Sequence, residues 1–289
     1  MEKKENPFCL KSEQAYLSWR KHKLTSSILS TSNLFVEVKN LSKPTNAELT
    51  SIRNRCKRCN FSFYSTEKPV GTNQIIYFAK ALGLHNSEKT ISSGGVNAVA
   101  ELKVCLDGTR QDYIPYSNRP LNWHTDGYYA TNKNPVRSFL LHCVRQASAG
   151  GKSSLIDPEI VYIRLRDLDP LYISSLMLED AMTIPANKID GNVLRPQVTG
   201  PVFWIDRGTL RMRYTARKRN VFWKKDKTVQ SATHALEKIL NSDDPQIIVH
   251  RMKEGQGLIC NNVLHKREGF LDRGASRLMY RARFFDQIS

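Results

Sequence analysis

The chain has 289 residues, 40% of them hydrophobic, which is ample for a sizeable core, and its 12 Pro and 15 Gly are too few to suggest a long disordered linker. No apolar run approaches the ~18 residues of a membrane span, and no apolar stretch follows the charged N-terminus as in a secretory signal. A formal charge of +17 concerns partners more than fold, and suits nucleic acid, an anionic membrane surface or an acidic substrate. The six cysteines do not read as a disulfide framework in a chain of this length, so the expectation is a soluble, cytoplasmic protein.

Residues 1–32 carry an amphipathic helical pattern, with Tyr16, Leu17 and Trp19 among charges. Phe35-Val-Glu-Val38 alternates and predicts a short strand, and Lys43-Pro-Thr-Asn opens a helix capped by Thr45 or Asn46. Cys56-Lys-Arg-Cys59 has neither a second pair nor a histidine pair at finger spacing, so these read as incidental thiols. Residues 60–64 predict a strand, and 74–82 a helix stopped by Gly83. Residues 1–95 thus read as an α/β elaboration of a single domain spanning 1–289.

From residue 96 the character changes. Residues 96–106, 136–145, 200–205, 210–214, 246–252, 257–265 and 277–285 are short, β-branched or aromatic, and bounded by Gly, Pro, Asn or Asp. That pattern predicts a mainly β, two-sheet antiparallel core over 96–289, with helical inserts near 158–178 and 228–240. Between Asp206 and Lys227 nine basic residues (Arg207, Arg211, Arg213, Arg217, Lys218, Arg219, Lys224, Lys225, Lys227) are mixed with Tyr214, Phe222 and Trp223. This patch suits any anionic partner and does not choose among them.

Four features carry chemistry. In Asn122-Trp-His-Thr-Asp126 an imidazole and a carboxylate stand two residues apart, on one side of an extended strand. They make two-thirds of the facial triad that holds non-haem Fe(II), and lack a second histidine from far along the chain. Gly150-Gly151-Lys-Ser153 invites a phosphate-loop reading, but position 146 is Gln where that loop needs Gly; the pair reads instead as a hairpin turn delivering Ser153 to the next strand. Asn261-Asn-Val-Leu-His265 ends an apolar strand. Arg277, Arg281 and Arg283 share a face of the last strand, a costly burial unless anions meet them.

In this order the motifs resemble the taurine dioxygenase and clavaminate synthase-like group of Fe(II)/2-oxoglutarate oxygenases, over roughly residues 96–285. The resemblance implies a double-stranded β-helix, a distorted jelly roll with helical insertions. It implies His124, Asp126 and His265 as iron ligands, Arg277 on the distal carboxylate of 2-oxoglutarate, and Ser153 beside that carboxylate. It makes Arg281 the arginine for the substrate's acidic group, while Asn122, Trp123 and Asn262 line the neighbourhood. Lys266 departs from the glycine that many members carry after the distal histidine. His142 and His250 are rival third ligands, but His142 lies close to the doublet in sequence and His250 has no arginine twelve residues on.

The implied chemistry is O2-dependent hydroxylation with Fe(II) and 2-oxoglutarate, the far end of the keto acid held by Arg277 and Ser153. Arg281, Arg213, Tyr214 and the 206–227 patch point to an anionic substrate. Within the family the chain resembles the hydroxylases of the 3-deoxy-octulosonate sugar of lipopolysaccharide, which implies peripheral contact with the inner face of an anionic membrane. A small soluble sulfonate, carboxylate or amino acid is the rival substrate. A non-enzymatic nucleic-acid binder would account for the charge but leave His124, Asp126, His265 and Arg277 unexplained.

Overall fold

Local chemistry sets the helix ends. Thr45 starts the Asn46–Cys59 helix with a reciprocal cap: its Oγ1 accepts from the Glu48 N–H at 3.3 Å, and Glu48 Oε2 accepts from the Thr45 N–H at 2.6 Å. That helix stops at Asn60, which adopts φ 60° and so turns the chain into the left-handed region. Asp157, Asp169 and Asp226 cap the helices Pro158–Leu168, Pro170–Leu176 and Lys227–Leu240 by accepting from free N–H groups of the first turn. Pro158 and Pro170 occupy first positions, where no N–H is needed. This computed structural model describes residues 6–26, 34–89, 98–106, 113–189, 192–217 and 220–289.

The chain divides into two compact units, each assembled from separated stretches. The larger comprises Leu29–Asn122, Val136–Leu155 and Ile248–Ser289. Its six-stranded sheet runs in the order Phe35–Glu37, Phe61–Ser65, Gln256–Cys260, Ser138–Arg145, Leu278–Phe284, Val99–Leu102, antiparallel except for the first pair. A four-stranded sheet follows the order Ile248–His250, Ser153–Ile156, Leu264–Arg267, Leu121–His124. Phe139, Cys143, Leu258, Cys260 and Met279 of the first sheet are buried in one cluster with Leu155, Met252 and Val263. The alternate residues Leu140, Ile259, Ala282 and Phe284 are buried instead with Leu49, Ile52, Ile75 and Phe78 of the helices Asn46–Cys59 and Thr72–Ala81. The strict period of two therefore feeds one sheet into two cores. This is the two-sheet antiparallel architecture with helical elaborations that the β-rich pattern predicts.

Two local expectations change. Residues 257–265 are not one strand: Asn262, at φ 54°, breaks the run, and the chain leaves the six-stranded sheet at Cys260 to join the four-stranded one at Leu264. Asn262 Nδ2 secures the break by donating to the Val136 carbonyl at 2.7 Å. Gly150-Gly151 is likewise not a hairpin turn but a crossover between the same two sheets. Gly150 (φ 71°) lies against the backbone of Phe270, and a side chain there would strike the Gly269 carbonyl.

The second unit comprises Met1–Ile28, Trp123–Pro135 and Ile156–Ile247. The predicted N-terminal helix is Glu13–Ser26; residues 27–33 lie outside the described residues. Trp19 and Phe8 pack edge-to-face with Tyr162. Lys23, buried, reaches Asp157 at 2.6 Å and Glu159 at 2.5 Å. In Lys227–Leu240 the buried Val229, Ala232, Leu236 and Leu240 recur at helical spacing. Arg207 and Gly208, both at positive φ, form the two-residue turn of the Phe203–Asp206/Thr209–Met212 hairpin.

Candidate active site

The Leu121–His124 strand delivers His124, and Asp126 follows two residues on; both are buried. The segment 213–216 holds them. The Thr125 N–H donates to the Tyr214 carbonyl at 3.0 Å, the Tyr214 N–H donates to Thr125 Oγ1 at 3.1 Å, and the Ala216 N–H donates to the Trp123 carbonyl at 2.8 Å. His124 Nε2 stands 3.6 Å from Asp126 Oδ1. His265 comes from Leu264–Arg267, with its ring against Phe139, centroids 4.7 Å apart. Its Nδ1 lies 3.0 Å from the Val263 carbonyl. A carbonyl only accepts, so Nδ1 carries the proton and Nε2 is left with a lone pair. One ligand atom from each of His124, Asp126 and His265 falls within 4.8 Å of the other two. Two imidazoles and a carboxylate in this arrangement fit Fe(II) and leave further coordination positions open.

The rival histidines are engaged elsewhere. His142 is buried with Nδ1 3.2 Å from the Tyr64 hydroxyl, and burial pulls its pKa down to about 4. His250 Nε2 lies 2.9 Å from Gln256 Oε1.

Arg277 lines a small, open pocket with Gln146, Ala147, Gly151, Arg251 and Met252. Its guanidinium lies over the Phe270 ring at 5.0 Å, and that of Arg267 approaches the same ring at 4.9 Å. Burial lowers the Arg277 pKa, against the opposing pull of Cys143 and Asp272. A desolvated guanidinium at a pocket fits the carboxylate of a keto acid. Residues 60–283 match the family model described as "Taurine catabolism dioxygenase TauD, TfdA family".

The chain belongs to that family.

In this dioxygenase family chain, His124, Asp126 and His265 form a group that could hold a metal ion. Among curated proteins, this TauD-family chain is 30% identical over 159 residues to a uridine-5'-phosphate dioxygenase of Streptomyces sp, covering 52% of the chain and 56% of that protein. A second uridine-5'-phosphate dioxygenase, from Amycolatopsis sp, is 30% identical over 164 residues, covering 54% and 57%. The chain therefore spans little more than half the length of these curated relatives. Among solved structures, the non-heme iron oxygenase OrfP with Fe and alpha-ketoglutaric acid is similar with a TM-score of 0.64 at 15% identity, covering 85% of this chain and 82% of that one. An asparagine oxygenase is similar with a TM-score of 0.60 at 16% identity, covering 82% and 77%. These likenesses show the fold, a double-stranded β-helix with inserted helices.

Other residues singled out from this TauD-family sequence are placed differently. Arg213, expected at the substrate, is buried, and its guanidinium donates to the carbonyls of Met182 (2.7 Å), Gly200 (2.8 Å) and Pro201 (3.3 Å). Those carbonyls take three of its five N–H donors, so it ties these backbone segments together. The Tyr214 side chain is buried beside Trp223; what Tyr214 brings to the site is the backbone that braces Thr125. Within the basic stretch, Lys224 is paired with Asp180 at 2.9 Å and Arg211 lies 3.7 Å from Asp206; Lys218 and Arg219 lie outside the described residues. Arg281 is buried on the last strand opposite Leu141. Ser153 begins its strand opposite His250, and Asn122 is exposed two residues before His124. Thr125 lies inside the Asn122–Asp126 motif, but its bracing role, like the pocket positions of Gln146 and Arg251, is recognised only from what folds against it. The pair Cys56 and Cys59 is buried as free thiols.

Proposed function

We propose that the protein hydroxylates a C–H bond of a small anionic substrate, using Fe(II), 2-oxoglutarate and O2. The convergence of His124, Asp126 and His265 carries this reading. When bound, iron and keto acid supply the oxidation: 2-oxoglutarate is converted to succinate and CO2, one atom of O2 entering succinate and the other the substrate hydroxyl. The protein's part is to hold and to exclude water. His124, Asp126 and His265 would hold the metal, and the Val263 carbonyl fixes the His265 tautomer that leaves Nε2 available to bind it. Arg277 would hold the distal carboxylate of 2-oxoglutarate, with Ser153 and Asn122 assigned as polar neighbours. Arg281, four residues on and within the Leu278–Phe284 strand that Arg277 immediately precedes, is assigned to the substrate's acidic group.

The relatives named for uridine 5'-phosphate support a soluble nucleoside monophosphate as the first candidate substrate, ahead of the lipid-borne octulosonate sugar. An amino acid is the next candidate, since the similar structures include an asparagine oxygenase. The charge of +17 serves a soluble anion as well as it serves an anionic membrane, and no helix among the described residues is long and apolar enough to cross one. The test is succinate release with Fe(II), 2-oxoglutarate and each candidate substrate. His124→Ala and Asp126→Ala should each abolish it; turnover unchanged in either variant would remove the assignment.

A further inference from the structure

Directly after the metal-binding aspartate the chain runs Gly127-Tyr128-Tyr129, and a second cluster forms there. The Tyr128 ring stands edge-on to the His124 imidazole, centroids 6.4 Å apart at 89°. Tyr129 meets Tyr128 at 5.4 Å and 74°. Two arginines face these rings: Arg217 Cζ lies 5.9 Å from the centre of Tyr128, and Arg195 Cζ 5.5 Å from the centre of Tyr129.

The two arginines are not equivalent. Arg195 donates to the Pro185 carbonyl at 2.9 Å and the Pro196 carbonyl at 3.3 Å, so it braces the chain beside Tyr129. Arg217 makes no hydrogen bond or ion pair with the described residues, and only one tyrosine ring separates it from a metal-ligating imidazole. Arg217, Tyr128 and Tyr129 are all partly exposed. A guanidinium held over a π-face and lacking a carboxylate is suited to grip a phosphate through two parallel N–H donors. The adjoining tyrosines offer apolar faces on which a planar ring can pack.

We propose that Tyr128, Tyr129 and Arg217 form the recognition site for a nucleoside monophosphate, Arg217 binding the phosphate and the tyrosines packing against the nucleoside. This rests on the Fe(II)/2-oxoglutarate reading given above and adds to it the residues that would choose the substrate. Arg217, beside the segment that braces the His124–Asp126 loop, then takes the phosphate, the one acidic group of such a substrate, in place of Arg281 on the last strand of the six-stranded sheet.

The experiment is a calorimetric titration of the Fe(II) protein with 2-oxoglutarate under nitrogen, first for the keto acid and then for uridine 5'-monophosphate, uridine and inorganic phosphate. The nucleotide should bind at least about tenfold more tightly than uridine, a ratio equivalent to about 1.4 kcal/mol. Arg217→Ala should bring the nucleotide down to the level of uridine, while Tyr128→Leu should weaken nucleotide and uridine alike and leave inorganic phosphate unchanged. Absent nucleotide binding, equal binding of nucleotide and uridine, or an unchanged nucleotide affinity in Arg217→Ala would each overturn the proposal. Failure of the parent reading looks different: the Fe(II) protein would not take up 2-oxoglutarate at all.

Discussion

Replacing Arg277 by alanine separates a binding role from a structural one. Arg277 is 7% exposed, and burial depresses its pKa, so its charge has lost hydration. The guanidinium stands to gain two charge-assisted hydrogen bonds from a carboxylate, each contributing about 1.5–3 kcal/mol. Its removal would leave that carboxylate buried without its partner, a loss of about 3–5 kcal/mol. At about 1.4 kcal/mol per decade, 2-oxoglutarate affinity should fall by two to three orders of magnitude or more. The unliganded protein should not be destabilised in proportion, because a costly buried charge disappears and Arg267 still lies beside Phe270, 4.9 Å from its ring. The assay is an anaerobic titration of the Fe(II) protein with 2-oxoglutarate, read by the charge-transfer absorbance, with melting temperature and Fe(II) affinity measured alongside. A 2-oxoglutarate affinity within about threefold of the parent protein would refute the reasoning. So would a large fall in melting temperature with no change in affinity, since that would make Arg277 a structural residue.

Thr125→Val removes the side-chain acceptor of the buried Tyr214 N–H, which should cost about 1–3 kcal/mol in a denaturant melt. It should also weaken Fe(II) binding by about 10- to 100-fold, because the loop between two ligands loses its brace; unchanged metal affinity would show that the brace is dispensable. Lys23→Met leaves Asp157 and Glu159 without their buried cation and should destabilise by about 3–5 kcal/mol, a loss visible as a large fall in melting temperature. Burial works against the Lys23 charge, but the two carboxylates outweigh it and raise its pKa. Its contribution is therefore complete below the unfolded value of about 10.4 and fades only as pH rises through the raised folded value, so the Lys23→Met deficit should be flat between about pH 6 and 9. His142 has the opposite sign: with a folded pKa of about 4, it stays neutral while the unfolded chain takes up a proton below its usual value. Stability should thus fall by about 2 kcal/mol between pH 7 and 5, and His142→Gln should flatten that slope in urea melts; parallel slopes would contradict the burial.

Much of this protein follows from chemistry between near neighbours. Thr45 with Glu48 caps a helix, as do Asp157 and Asp226, because donor and acceptor are only a few residues apart. The alternation through Phe139–Cys143 and Leu258–Cys260 specifies strands with two buried faces, and the two-residue step from His124 to Asp126 already points both groups one way. His265 was identifiable as third ligand through the order of the family's motifs, without any geometry. What the tertiary structure decided concerns groups whose meaning depends on distant partners. Asn262 reads as one more residue in an apolar run until the Val136 carbonyl, from a remote strand, captures its amide and the chain changes sheets. Arg213 and Arg217 stand in one basic stretch, yet three backbone carbonyls engage the guanidinium of the first, the one the sequence pointed to, while the second faces Tyr128. A guanidinium carries the same charge wherever it stands; which acceptors surround it is set by the folding of segments far away in the chain, and that determines whether it supports the framework or meets a ligand.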